Sequence, residues 1–182
     1  MALENILREN RKAIVQKWFE QIVSSYPADA RNHFLNQSNR FANPVGSSLR
    51  SGVEALFDVL VEGSDPESEE IYALLDTMVR IRAVQDFCAA DAVHFPFLLK
   101  DIVEQTLKGT AGEQWTVDEL LTFERRVDKI ALLSFNIYMQ CREKIFELRA
   151  NELRNRTSRI VQRACQVLGK RGEPLPEELR TE

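Results

Sequence analysis

The chain is poor in residues that break helices. Its 182 residues include 7 glycines and 6 prolines, and neither type occurs between Thr116 and Leu168. Ala, Leu, Glu, Arg and Gln dominate the stretches between, a composition that favours helix almost throughout. Cysteine is as scarce: Cys88, Cys141 and Cys165 are odd in number, far apart and form no CxxC pair. That argues against a disulfide framework or a zinc site and fits a reducing compartment. Long apolar runs are missing as well, and no window approaches the ~18 uninterrupted apolar residues of a membrane-spanning helix. The opening MALENILRENRKAIVQ carries charges every few residues and lacks the apolar centre of a signal peptide. A cytoplasmic protein is the expectation.

Charge is present but uneven. Residues 54 to 76 hold eight acids and no base, whereas residues 142 to 171 hold nine Lys or Arg against three Glu, in a chain of net charge −4. The overall sign disfavours nonspecific nucleic-acid binding. The basic end can be a solvated helix face, or can meet a phosphate backbone or an acidic partner.

Apolar spacing divides the chain into five or six helices with no convincing strand. The first runs from about Ala2 to Tyr26, with Ile6, Ile14, Trp18 and Ile22 on its stripe. A short piece, Ala28 to Leu35, and a polar connection, Asn36 to Asn43, follow. A second long helix reaches Glu62 and is stopped by Gly63 and Pro66; a third covers Ser68 to Phe87; a fourth runs from about Asp91 to Lys108. Thr116-Val117-Asp118-Glu119 is a capping box that opens the last helix. With no later breaker before Gly169, that helix is about 50 residues, on the order of 80 Å long. It is richly apolar up to Leu148 and almost wholly polar from Arg149 to Arg159, with apolar character returning at Ile160. Its spacing drifts between 3 and 4 with no sustained coiled-coil seam, so a coiled coil stays open. The reading is a helical domain over residues 1–148, a helical extension over 149–168 and a disordered tail over 169–182.

RFANPVG, residues 40 to 46, resembles at first a phosphate-binding loop. A phosphate loop needs GxxxxGK[ST] after a strand, and here no lysine follows Gly46 and no β-branched run precedes it. Asn43 before Pro44 fits instead an N-cap followed by the first helical residue. Gly46 then lets another helix approach closely. Of the two histidines, His33 and His94, neither has a second ligand at metal spacing. His94, beside Phe95 and Phe97, is the one residue to consider as a haem ligand; a partly buried or surface histidine is the plainer reading. Cys88, Ser134 and Cys165 have no glycine-rich elbow or neighbouring base, so no catalytic residue is legible. VRIRAVQDF, residues 79 to 87, places Arg80 and Arg82 among apolar neighbours, with Arg82 and Asp86 four apart. The arginines either bind an anionic ligand or make intramolecular pairs.

IVQKWFEQIVSSYP, NRFANPVGSSLRSGVEALFDVLVEG, IRAVQDF and FLLK occur in an order that resembles the N-terminal domain of RsbR/RsbRD proteins, the RsbT co-antagonists of stressosome signalling. The resemblance covers roughly Ile6 to Leu148. It implies an all-α, globin-like helical bundle, usually without haem and often dimeric, with a long projecting C-terminal helix that leads to an output module. It carries no catalytic residues. The matched positions are Asn43, Pro44, Gly46, Arg80, Arg82, Gln85 and Phe87, of which Arg80, Arg82 and Gln85 are the candidates for ligand or signal sensing. The chain ends 14 residues after Leu168, so the output is expected on a separate polypeptide. The function expected is a non-catalytic sensor or adaptor, with no cofactor, that acts through a protein partner and as a homodimer. The alternatives are a haem-binding gas sensor using His94 and a nucleic-acid-binding regulator using the basic last helix.

Overall fold

The computed structural model describes residues 2–36, 43–65, 68–85, 87–109 and 115–171, leaving aside the side chains of residues 29, 33, 36 and 168–171. The described residues are all-α: α1 Ala2–Glu9, α2 Arg11–Ser24, α3 Ala28–Asn36, α4 Pro44–Glu62, α5 Glu69–Val84, α6 Ala89–Val93, α7 Phe95–Gly109 and α8 Val117–Arg171. The chain divides into two compact units, Met1–Cys141 and Arg142–Glu182. No described helix is long and apolar enough to cross a membrane.

Helix α2 is the centre of the first unit. Ile14 and Val15, Trp18 and Phe19, and Ile22 and Val23 repeat every four residues, which makes a double-width apolar stripe. Trp18, Phe19, Ile22 and Val23 are wholly buried, and α2 packs against α1, α3, α4 and α7. Each such side chain contributes on the order of 1.5–3 kcal/mol by leaving water. Asn43, Gly52 and Gly63 then fix where α4 starts, how closely α5 approaches and where α4 stops. The Asn43 side chain accepts the Gly46 N–H at 2.9 Å, with Pro44 in the first turn. A Cβ on Gly52 would lie 2.8 Å from the Met78 sulfur of α5. Gly63 is left-handed, at φ 74°, and the N–H groups of Gly63 and Ser64 both reach the Val59 carbonyl, at 3.1 and 3.3 Å.

Several helices differ from their expected extents. The first expected helix is two, because Asn10 intervenes: its backbone N–H and its side-chain amide both donate to the Ile6 carbonyl, at 3.0 and 2.9 Å. A side-chain amide that competes for a helix carbonyl ends the regular ladder. The fourth is also two, α6 and α7, divided at His94. Pro96 has no N–H to extend α6. A Cβ at Gly46 would meet the Asn43 amide itself, 2.6 Å from Oδ1. Gly169 does not end α8, which continues to Arg171. The remainder of the expected tail, like the residue 37–42 connection, lies outside the described residues.

The capping box at the start of α8 is formed. The Glu119 N–H donates to Thr116 Oγ1 at 3.2 Å, and the Thr116 N–H donates to Glu119 Oε2 at 3.1 Å. Glu119 Oε1 also accepts the Ala2 N–H at 3.1 Å, which ties α1 to α8. Phe123, Val127, Ile130, Ser134, Ile137 and Cys141 face the interior at alternating steps of four and three. The buried Ser134 hydroxyl donates to the Ile130 carbonyl at 2.7 Å. In the second unit, α8 exposes Phe146, Leu153, Ile160 and Val167.

Candidate functional site

The inward face of α5 carries Ile71, Leu75, Met78, Val79, Arg82 and Ala83. Arg82 thus occupies a core position of an apolar stripe, and it is only 2% exposed. Its Nη2 donates to Ser25 Oγ at 2.6 Å, while Nε and Nη1 have no hydrogen-bond partner. Three rings surround the guanidinium carbon, at 4.9 Å for Phe87, 5.4 Å for Tyr26 and 6.0 Å for Phe95. Burial of an ion costs several kcal/mol after relaxation, and a desolvated cation–π contact returns on the order of 2 kcal/mol. The cage offsets only part of the cost. Burial pushes the Arg82 guanidinium below its ordinary pKa, with Tyr26 and Asp91 pulling it back up; an arginine stays charged regardless.

Each wall of the cage is anchored from a different element. Tyr26 leaves α2 with its N–H on the Val23 carbonyl at 3.0 Å. Its ring meets Phe34 edge-on at 5.1 Å and Phe87 at 5.0 Å. The Phe87 carbonyl accepts the Tyr138 hydroxyl of α8 at 2.8 Å, and the Phe95 carbonyl accepts the Trp18 indole N–H at 2.7 Å. Asn43 reaches the cage indirectly, its side-chain nitrogen lying 3.4 Å from the Phe34 carbonyl. The Tyr26 hydroxyl is buried and, like two of the Arg82 nitrogens, has no partner. Burial raises the pKa of this phenol, with Arg82 opposing the shift.

Of the sequence candidates, Arg82 and Phe87 lie in this cage, and Asn43, Pro44 and Gly46 form the cap of α4 behind Phe34. Arg80 is exposed and holds Asp76, four residues back, at 2.6 and 3.0 Å. Gln85 is exposed at the C-terminal cap of α5. Asp86, the expected partner of Arg82, lies outside the described residues. His94 is exposed at the end of α6, its ring 6.5 Å from Phe97. Cys88 caps α6, its thiol donating to Asp91 Oδ2 at 3.0 Å. Among the described residues no three His, Cys, Asp or Glu are grouped to hold a metal. An open groove of about 700 Å³ between α4 and α5 is lined by Ser47, Ser51, Gly52, Glu70, Ala73 and Thr77 among others. Sequence reasoning missed Ser25, Tyr26 and Phe95 as partners of Arg82, and Phe34 as the ring behind Tyr26. The available signal was the register of α5, which puts Arg82 in line with Leu75 and Met78.

The family model described as the RsbT co-antagonist protein rsbRD N-terminal domain matches residues 12–153. The chain belongs to this family. All the residues of the cage lie within the RsbRD N-terminal match, as do the four stretches on which the resemblance rests. A relative from Archaeoglobus fulgidus, carrying the name Uncharacterized protein, is 26% identical over 144 residues, 79% of this chain and 84% of the other. No solved structure matches the chain. The RsbRD N-terminal family is one of signalling regulation rather than a known enzyme family.

Proposed function

We propose that this RsbRD N-terminal protein is a cytoplasmic, non-catalytic sensing or adaptor unit of stress-regulatory signalling that works through protein–protein contacts of α8. The observation that carries the reading is an unpartnered seam. Phe146, Ala150, Leu153, Thr157, Ile160, Ala164 and Val167 follow one another at alternating steps of four and three, and the large members are 51–67% exposed. This is the period of a two-stranded coiled coil, whose large-and-small seam becomes buried only against another chain. A second copy fits it, giving a homodimer. In a parallel pair Arg142 faces Glu147 of the second copy, whereas Arg149, Arg156 and Arg163 meet no acidic flank. Arg156 holds Glu152 of its own helix at 3.6 Å, which leaves Arg149 and Arg163 for an acidic surface on the protein that carries the output.

The signal enters in the first unit. A ligand or partner that binds one helix arrangement better than another shifts the population toward it. Arg82 lies where the ends of α2 and α5 meet the start of α7, and Tyr138 connects α8 to the same cage. Arg82, rather than the surface pair Arg80 and Asp76, is the sensing residue that this arrangement favours.

Sedimentation velocity and circular dichroism on the full chain and its Leu153→Asp and Ile137→Asp variants test the reading. The wild type is expected to sediment as a dimer, with Leu153→Asp monomeric at unchanged helicity. Ile137→Asp buries an unpaired charge and is expected to lose the fold itself. A monomeric wild type, or a Leu153→Asp dimer, refutes the seam. Retention of the chain on duplex DNA with a steep salt dependence would instead assign the arginine flank to nucleic acid.

A further inference from the structure

We infer that residues 24–31, the corner that joins α2 to α3, are a latch over Arg82. The corner opens as a local unit while the helices around it stay packed, and the bond from Arg82 to Ser25 is its catch. The inference rests on Arg82 being the sensing residue and names what moves there. Among the described residues, the buried side-chain atoms without a hydrogen-bond partner are Gln21 Oε1, Tyr26 Oη, Arg31 Nε and Arg82 Nε and Nη1. They belong to the corner, to the turn of α2 that leads into it and to the arginine bonded to it. Other buried polar groups of the same unit are matched: the Trp18 indole with the Phe95 carbonyl, the Ser134 hydroxyl with the Ile130 carbonyl and the Asn43 side-chain oxygen with the Gly46 N–H. A buried polar group without a partner favours any state that wets it. The closed state is therefore least favoured at this corner. Ser24, Ser25, Pro27 and Ala28 are exposed, so the corner lies at the surface. Arg31 stitches it to itself, its Nη2 donating to the Ser24 and Tyr26 carbonyls at 2.8 and 3.4 Å, and a segment bonded within itself moves as one piece. The Ser25 hydroxyl donates to the Ile22 carbonyl at 2.7 Å and accepts Arg82 Nη2 at 2.6 Å. The buried Tyr26 ring is the plug, its centre 5.0 Å from that of Phe87. Its withdrawal wets Arg82 and takes a wall from Phe87, whose carbonyl accepts the Tyr138 hydroxyl of α8.

Native-state hydrogen exchange of the full chain, followed residue by residue at low urea, tests the latch. The Ser25, Tyr26 and Arg31 N–H groups, bonded to the Ile22, Val23 and Pro27 carbonyls, are expected to exchange together. They should exchange faster than those of residues 18–23 and with a much weaker dependence on urea. Tyr26→Phe keeps the ring and removes a partnerless hydroxyl, so it should slow all three about tenfold. Ser25→Ala releases the catch and should speed them about tenfold. In an Arg82→Met background the same substitution should change them by less than about threefold. The Gly63 and Ser64 N–H groups at the end of α4 should follow none of these changes. Exchange of the corner at the rate and urea dependence of α2 would mean that it opens only when the whole unit unfolds, and would overturn the latch. Fast exchange that neither Tyr26→Phe nor Ser25→Ala alters would be fraying of a helix end, and would overturn it as well. Equal speeding by Ser25→Ala with and without Arg82 would assign the effect to the Ile22 carbonyl and overturn the catch. The dimer seam is read by sedimentation, so loss of the latch and loss of the seam are separate results.

Discussion

Phe87 contacts Arg82 twice: its backbone N–H donates to the Arg82 carbonyl at 3.4 Å, and its ring centre lies 4.9 Å from the Arg82 guanidinium carbon. The first contact spans five residues across the end of α5; the second sets the Phe87 ring against the side chain of the same residue. Closing α5 and walling the cage are therefore the same local structure. Phe87→Ala should keep the backbone bond and lose the ring's contacts with Arg82 and Tyr26. Because Phe87 is only partly buried, the expected cost is about 2 kcal/mol, below the 3–5 kcal/mol typical of a fully buried phenylalanine. Urea unfolding of the variant measures it, and a loss under about 0.5 kcal/mol would mean that the ring does not support the cage.

Arg82→Met makes an opposite kind of prediction. Replacement of a buried charge by an apolar side chain of similar volume is often neutral or stabilising, and the substitution gives up one hydrogen bond, to Ser25, worth roughly 1–3 kcal/mol. The variant should therefore unfold within about 2 kcal/mol of the wild type, in either direction. Arg82→Ala leaves a cavity as well and should be less stable than Arg82→Met. If Arg82→Met loses more than about 3 kcal/mol, the arginine is a structural strut and not a charge kept for a ligand.

The sequence made the helices legible wherever a local device marks them: Asn43 and Pro44 at the start of α4, Gly63 at its end, Thr116 and Glu119 at the start of α8. Each acts within four residues, which a linear reading spans. The break at Asn10 was missed because an asparagine in an amphipathic stripe can point outward; here its amide turns back to Ile6. Arg82 was noticed for its charge, but its companions Ser25, Tyr26 and Phe95 come from the end of α2 and the start of α7. Only packing brings them together. The seam of α8 was hidden by composition, since Ala150, Thr157 and Ala164 occupy three of its seven positions and carry little apolar bulk.

Asn43 and Gly46 should prove to be one unit. Asn43 is 1% exposed, and its side-chain oxygen holds the Gly46 N–H. Asn43→Ala removes the cap in a buried place and should cost about 2 kcal/mol, the upper end for such losses. Gly46→Ala puts a Cβ where the Asn43 amide lies, so it displaces the same cap from the other side. The double variant should then be less destabilised than the sum of the two single ones, by about 1 kcal/mol or more. Additive losses in a double-mutant cycle would separate the two residues.

The pH dependence of stability should have an identifiable group at each edge. Burial raises the Tyr26 phenol above its ordinary value of 10.0. Its contribution is fully present below that pH and is lost as the pH rises from there through the folded value, because the unfolded phenol ionises first. Glu119 behaves in reverse. The Thr116 N–H, followed by weaker backbone and terminal contacts, holds its carboxyl below 4.5. Its contribution is present above 4.5 and is lost as the pH falls through the depressed value, because the cap must then be protonated. Urea unfolding midpoints across the pH range, read for the wild type, Tyr26→Phe and Glu119→Gln, separate the two. Tyr26→Phe should flatten only the alkaline limb and Glu119→Gln only the acid limb. An alkaline limb unchanged in Tyr26→Phe would mean that the phenol is not held away from solvent, and its burial beside Arg82 would be wrong.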